Sequence, residues 1–389
     1  MQKWISRDVL LISFSAFFAD LGYQAVQALF PIFLVITLAS SPLAFGIANA
    51  LAFGGGAVLA YIGGVLSDRY SRKWIVVIGS AFILLMSAVG LATSPIMAVA
   101  LFTGGWWGRN FRSPPRRAML ADVSKRRDLG KTFGLLHALD VGGGMLSVVF
   151  LVILLAVGVS HRSIFILTAI PITISMLLII LTSDIRKGKA NVAGTPLMKR
   201  SSIVNRRTFW GIIIATALYG FSYYSLGFPI LTITMVSSNS IIGVGSYGVY
   251  LGISAITGYW IGSRKGINKI KTLGLVGYVL SGIGTAVLSV SYWLGYGTAA
   301  LYVGVAIMGF GLGVVETIEP TIISLIRRDV KIGKGMGALQ GSRSFGVFFG
   351  NLVMGILYVA SPSYSYAYAA AVSVVAGIII LYYGAGFRQ

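Results

Sequence analysis

The chain has 389 residues, of which 56% are apolar and only 11% charged, and its 31 Lys and Arg against 10 Asp and Glu give a formal charge of +21. Soluble domains carry roughly 25% charged residues, so a mean hydropathy of +0.86 excludes an ordinary soluble enzyme and makes a bilayer the natural solvent. The basic residues fall in short clusters between long apolar runs, with no basic domain or recognition motif, which argues against a nucleic-acid partner. Cys is absent and only two His are present, so disulfides and Cys-metal sites are excluded, a His-rich metal site is not expected, and no cofactor is implied.

A helix crosses about 30 Å of hydrocarbon with roughly 20 residues. In chain order, apolar runs of that kind cover residues 9–37, 43–66, 74–93, 97–121, 130–158, 163–182, 209–236, 242–262, 272–292, 297–326, 334–359 and 364–384, twelve in all, of which the fourth and tenth contain charges. They are too long and too continuously apolar for the alternating strands of a membrane barrel. The expected fold is an all-α membrane protein. Lys3 and Arg7, then Arg69, Arg72 and Lys73, then Lys125, Arg126, Arg127 and Lys131 mark one side, and the pattern continues after spans six, eight and ten. That distribution predicts that both termini are cytoplasmic, in the plasma membrane. The length of the first span, Asp20 within it and the lack of a small-residue cleavage site predict that it stays in the membrane rather than being removed as a signal peptide.

Residues 183–208 form the longest polar stretch and read as a cytoplasmic linker between two six-span halves, 1–182 and 209–389. The halves resemble each other. At an offset of 203 residues, Gly130, Lys131, Gly134, Leu136 and Gly143 match Gly333, Lys334, Gly337, Leu339 and Gly346. Parallel six-helix repeats are the construction of secondary transporters that handle substrate between halves near mid-membrane.

The loop after the second span reads GGVLSDRYSRKW, Gly63 to Trp74. It resembles the signature of the major facilitator superfamily, and the resemblance implies twelve helices in two pseudo-symmetric bundles, with Gly64, Asp68, Arg69, Arg72, Lys73 and Arg116 as a gating motif. The matching loop of the second half, Gly262 to Lys269, keeps charge but lacks the Asp. The stretch Arg109 to Gly144, the opening FFADLGYQAVQALFPIF and the second-half run GFGLGVVETIEPTIISLIRRDVKIGKGMGAL resemble the branch of that family grouped with drug:proton antiporters, which covers nearly all of the chain. The chain differs from that branch at Gln24, where it favours an acidic residue, at Arg117 of the Pro115-Arg116-Arg117 run, at Trp106, where the antiporter pattern has Arg, and at Ser147 and Val148, where it has Gly-Pro. Arg109 follows Trp106 by one turn.

A charged side chain near mid-bilayer costs about 2.5–3.5 kcal/mol on insertion scales, so such residues face the interior or a partner. Asp20, Asp140, Glu316 and Glu319 are the candidates to carry a coupling proton. Arg109, Arg112 and Arg116 share one face of span four at spacings of three and four. Arg109 and Arg112, with His137, Gln340 and Arg343, are candidates for substrate contact or charge relay, while Arg116 and Arg117 suit gate pairing. Asp140 suits a tether to span four equally well. Under the repeat offset Arg116 corresponds to Glu319 and Asp140 to Arg343, so the signs are exchanged between halves. A Glu319–Arg343 pair is expected either to switch or to hold spans ten and eleven permanently. Gln24, Tyr219, Tyr223 and Tyr224 are candidates for the cavity lining, with packing as the alternative for the aromatics.

No phosphate loop, HExxH or GxSxG motif is present, so neither ATP-driven pumping nor hydrolysis is expected. The expected function is that of a monomeric, proton-coupled exporter of small amphipathic compounds, of the multidrug-efflux kind. A symporter or facilitator of an organic anion is the nearest alternative, and a non-transporting receptor or scaffold the alternative of another class.

Overall fold

In the computed structural model the described residues are 5–124, 129–184, 202–222, 226–264, 267–326 and 332–384, and among them there is no strand. Twelve helical runs follow one another: α1 (Arg7–Thr37), α2 (Pro42–Arg69), α3 (Arg72–Leu91), α4 (Pro95–Val123), α5 (Leu129–Ala156) and α6 (His161–Ile180). After them come α7 (Ser202–Ser222 with Gly227–Ser237), α8 (Ser240–Ser263), α9 (Lys269–Trp293), α10 (Gly297–Ile326), α11 (Ile332–Ala360) and α12 (Pro362–Gly384). They fall on the twelve apolar runs in order. Helix is the form an uninterrupted chain takes in hydrocarbon, since it satisfies every backbone polar group within one segment.

Eleven of these runs are long and apolar enough to cross a membrane. The exception is α4, whose composition is broken by Arg109, Arg112, Arg116 and Arg117, although its 29 residues reach roughly 43 Å. Polar residues start several helices in both halves. Ser6, Ser71, Ser94 and Ser160 accept hydrogen bonds from the amides of Val9, Trp74, Met97 and Ser163, and Asn239 and Asn268 cap α8 and α9 in the same way. Some segments depart from plain α-helix: Phe33–Thr37 at the end of α1 and Thr272–Val279 within α9 are π-helical, and Val89–Leu91 at the end of α3 is 3-10 helix.

The outer surface is apolar, with Val58, Tyr61, Ile96, Ile256 and Tyr259 more than half exposed. The interior instead holds hydroxyls and small residues, among them Ser13, Ser15, Ser80, Thr168, Ser175, Thr216 and Ser281. This distribution suits a multi-pass membrane protein, where lipid covers the apolar face and helices associate through close packing and hydrogen bonds.

Two compact units are formed, by the described residues within Met1–Ser40 and Leu51–Val192, and within Ser41–Ala50 and Ala193–Gln389. The core of the first gathers Val9, Ile12 and Ala16 of α1 with Val76 of α3, Met119 and Leu120 of α4, Leu136 of α5 and Ile179 of α6. In the second, Ile212, Ala215 and Tyr219 of α7 meet Leu273 and Tyr278 of α9, Val314, Ile318 and Ile322 of α10, Leu339 of α11 and Ile380 of α12. The start of α2 packs with this second unit, Phe45 lying edge-on to Phe228 at 5.0 Å.

The last matched glycine pair of the repeat has a packing reason. A Cβ on Gly143 would strike the carbonyl of Phe17 in α1, and a Cβ on Gly346 would strike the carbonyl of Ala217 and the Cα of Gly220 in α7. Gly346 lies 203 residues after Gly143, and Gly220 lies 203 residues after Phe17, so one close helix crossing is built twice.

Candidate functional site

In the first unit α4 is the organising element. Its Pro114 and Pro115 remove two amides from the helix, leaving the carbonyls of Asn110 and Phe111 without their usual donors. Asn110 Nδ2 reaches back to the Trp106 carbonyl at 2.9 Å. Gly63 of α2 lies so close to the Phe111 carbonyl that any side chain there would collide with it, and a Cβ on Gly64 would sit 3.9 Å from Pro114. The glycine pair of the signature therefore faces the proline pair of α4.

The rest of the signature is spread over the same end of the unit. Arg72 forms an ion pair with Asp122 at the end of α4, Lys73 Nζ donates to the Thr182 carbonyl at 2.9 Å, and Ser71 Oγ donates to Asp184 at 2.9 Å. Arg69 is exposed. The side chain of Asp68 lies outside the described residues. Asp122, Thr182 and Asp184 were not singled out from the sequence. Their signal, isolated polar residues at the ends of spans four and six, is too common to select them.

Farther into the helices lies a charge cluster. Asp20 of α1 is 4% exposed, accepts from the Tyr23 hydroxyl and lies against Asp140 of α5, with Arg116 and Arg109 close enough to act on it electrostatically. Arg116 donates to both oxygens of Asp140, at 3.3 and 3.5 Å, while its Nε and second terminal nitrogen are buried without an acceptor among the described residues. Arg112, 2% exposed, is held by the hydroxyls of Ser80 in α3 and Ser175 in α6, each at 3.3 Å. Ser175 in turn donates to the Ser15 carbonyl at 2.6 Å. Arg109 lies over the rings of Tyr23 and Trp106, 5.4 and 5.2 Å from their centroids, and reaches the Tyr23 hydroxyl at 3.4 Å. The three arginines share a helix face and still end on three different sets of partners. Arg117 and His137 are exposed, and Gln24 faces α5 at Gly144.

The second unit has a cluster at equivalent positions. Glu319 of α10 is fully buried and accepts from Thr216 of α7 at 3.0 Å, from the Tyr278 hydroxyl of α9 and from Arg343 of α11. Arg343 also pairs with Glu316, whose side chain is half exposed. Every oxygen of Glu319 thus has a donor, which is what a buried carboxylate requires. Gln340 is exposed. Tyr219 is buried, with its hydroxyl 3.2 Å from Ser281 and its ring tilted against Tyr278 at 4.9 Å. It borders a small cavity together with Ser222, Tyr250, Ser281, Thr285, Met308 and Ser373. Tyr223 and Tyr224 lie outside the described residues. Thr216 and Tyr278 were not anticipated, since a single hydroxyl in an apolar run gives no hint of which carboxylate it serves.

Comparison with known proteins agrees with this architecture. The sequence profile of the Major Facilitator Superfamily matches residues 12–326. An uncharacterised MFS-type transporter of Methanocaldococcus jannaschii is 22% identical over 397 residues, covering 98% of this chain and 96% of its own. Among solved structures, a D-xylose–proton symporter superposes with a TM-score of 0.75 at 13% identity, covering 97% of each chain. A peptide transporter of the POT type gives 0.75 at 15% identity over 96% of this chain and 93% of that one. An inward-facing, unoccupied bacterial homologue of the human lysosomal transporter Spinster gives 0.67 at 14% identity over 98% and 96%.

Proposed function

The chain belongs to the major facilitator superfamily, and from that premise we propose that it is a proton-coupled secondary transporter that exports a small amphipathic compound by alternating access. The observation that carries this reading is Asp20, a carboxyl buried in a membrane helix beside Asp140 and within reach of Arg116 and Arg109. Taking up a proton at Asp20 removes one negative charge from a cluster of two carboxyls and three guanidiniums, which changes how strongly α1, α4 and α5 hold together. A titratable group inside a membrane bundle is a functional candidate by default, since its burial otherwise costs energy for no return.

In this reading Asp140 tethers α5 to α4 through Arg116, and Glu319 with Arg343 and Glu316 forms the matching carboxyl cluster of the second unit. Arg72, Lys73 and Asp122 with Gly63 and Gly64 belong to the gate at the cytoplasmic end. The protein then resides in the plasma membrane as a monomer with both termini in the cytoplasm, as the distribution of Lys and Arg suggests.

The test is reconstitution into liposomes that enclose a pH dye, with cationic, neutral and anionic small molecules offered in turn. Solute-triggered proton flux in the wild-type chain is the expected result. Asp20→Asn should abolish uphill transport and spare counterflow exchange. Uphill transport that survives this substitution removes Asp20 as the proton carrier, and a folded preparation with no proton flux for any solute removes proton coupling.

A further inference from the structure

We propose that Arg109, together with the Trp106 indole N–H, is an anion-binding subsite that takes the carboxylate of a small acid with an apolar or aromatic body. The inference rests on reading the chain as a secondary transporter, and it names the chemical class of the solute.

Charge arithmetic within the first unit comes first. Its interior cluster holds Arg109, Arg112 and Arg116 against Asp20 and Asp140, three positive groups against two negative. Arg116 is committed to Asp140 and Arg112 to the hydroxyls of Ser80 and Ser175. Arg109, half-buried, has no carboxylate within ion-pair distance among the described residues, and its hydrogen bond there, to the Tyr23 hydroxyl, is long at 3.4 Å. Stacking on Tyr23 and Trp106 holds the guanidinium in place and leaves its remaining N–H groups available. A fixed, planar, partly desolvated guanidinium is the group that recognises a carboxylate with two parallel hydrogen bonds.

A second donor is present in the ring that Arg109 covers. Trp106 is 5% exposed and its Nε1 is buried without an acceptor among the described residues. An indole N–H can only donate, and a buried donor left unpaired costs about 1–3 kcal/mol. A carboxylate oxygen supplies what both groups lack, whereas an ammonium supplies nothing to either and is repelled by the excess positive charge.

The surroundings specify the body of the solute. Phe53 lies edge-on to Trp106 at 5.1 Å, Phe102 stacks beside it at 6.2 Å, and Phe30 stacks on Phe102 at 3.9 Å. Phe53, part-buried, offers apolar surface next to the cationic end, while Phe102 and Phe30 are buried and back the Trp106 ring. The Tyr23 hydroxyl stands between Arg109 and Asp20, receiving from the first and donating to the second. An anion that neutralises Arg109 therefore acts, through one hydroxyl, on the carboxyl proposed to carry the proton.

Equilibrium dialysis of the detergent-solubilised full chain against radiolabelled benzoate, benzyl alcohol and benzylamine at constant chloride tests this, because the three probes share a ring and differ in charge. Benzoate is expected to bind at least about tenfold more tightly than the other two, a difference of about 1.4 kcal/mol. Arg109→Gln should erase that preference, Arg109→Lys should keep part of it, and Trp106→Phe, which keeps the ring and removes only the donor, should weaken benzoate several-fold while leaving benzyl alcohol unchanged. Equal affinity for the three probes, no binding of any, or full benzoate preference in both Arg109→Gln and Trp106→Phe overturns the proposal. Dialysis involves no gradient, so benzoate binding without proton flux in liposomes would defeat proton coupling alone. Proton flux with no benzoate binding would defeat the anion subsite alone.

Discussion

Arg343 donates to Glu319 from the position that lies 203 residues after Asp140, and Glu319 stands 203 residues after Arg116, the partner of Asp140. The two units therefore place an ion pair at the same crossing of neighbouring helices with the sign reversed. The environments differ as well. Glu319 is surrounded by donors, whereas the Arg116–Asp140 pair keeps unused guanidinium nitrogens and sits beside a second carboxyl.

The first prediction concerns that saturation. Arg343→Gln leaves a buried carboxylate supported only by two hydroxyls and should cost about 3–5 kcal/mol, the usual loss on breaking a buried pair. Glu319→Gln should cost less, because its amide oxygen still accepts from Thr216 and Tyr278 while Arg343 keeps Glu316. Thermal unfolding in detergent should rank them in that order, with the double variant milder than Arg343→Gln alone. The reverse order would show that the two hydroxyls suffice to hold the carboxylate without Arg343.

Sign reversal between the halves gives a second prediction. Since the second unit already accommodates the opposite arrangement, Arg116→Glu combined with Asp140→Arg should be more stable than the sum of the two single losses predicts, with a coupling of about 0.5–3 kcal/mol. A thermal double-mutant cycle that closes to zero would mean that the pair does not act as a unit.

Glycine packing supplies the third. Gly143→Ala and Gly346→Ala push a methyl into a backbone carbonyl of the facing helix, and overpacking of that kind costs about 1–3 kcal/mol. Gly341→Ala, on the same helix as Gly346, meets nothing within 4 Å and should be neutral or gain up to about 1 kcal/mol from helix propensity. Equal unfolding temperatures for all three variants would contradict the close crossings.

Arg112 and Arg109, one turn apart, are predicted to fail differently. Arg112 is enclosed by hydroxyls from two other helices, so Arg112→Gln should lower the unfolding temperature and leave the ratio of anionic to neutral solute binding unchanged. Ser175→Ala should reproduce part of that loss, about 1–2 kcal/mol, by removing hydrogen bonds to both Arg112 and Ser15. A shift in solute preference with no loss of stability in Arg112→Gln would place this residue in the binding site.

Composition and the length of the apolar runs determined that the chain is a bundle of membrane helices, because hydrocarbon demands internally satisfied backbone and a fixed span length. The same runs located all twelve helices, including α4, whose arginines lower its hydropathy below that of the others. Charges inside those runs marked Asp20, Arg109, Arg112, Arg116, Asp140, Glu316, Glu319 and Arg343 as residues to account for, since lipid does not tolerate them unpaired.

Only the tertiary structure decided which partner each of them takes. Helical spacing puts Arg109, Arg112 and Arg116 on one face of their own helix, but that face meets several neighbours, and partners such as Ser80, Ser175 and Asp140 come from α3, α6 and α5. Thr216 and Glu319 are 103 residues apart and Tyr278 is 41 from the same carboxyl. A local pattern encodes which side of a helix is buried. It does not encode which hydroxyl from another helix arrives there, because that depends on crossings set by small residues such as Gly143 and Gly346, whose effect appears only when two backbones touch.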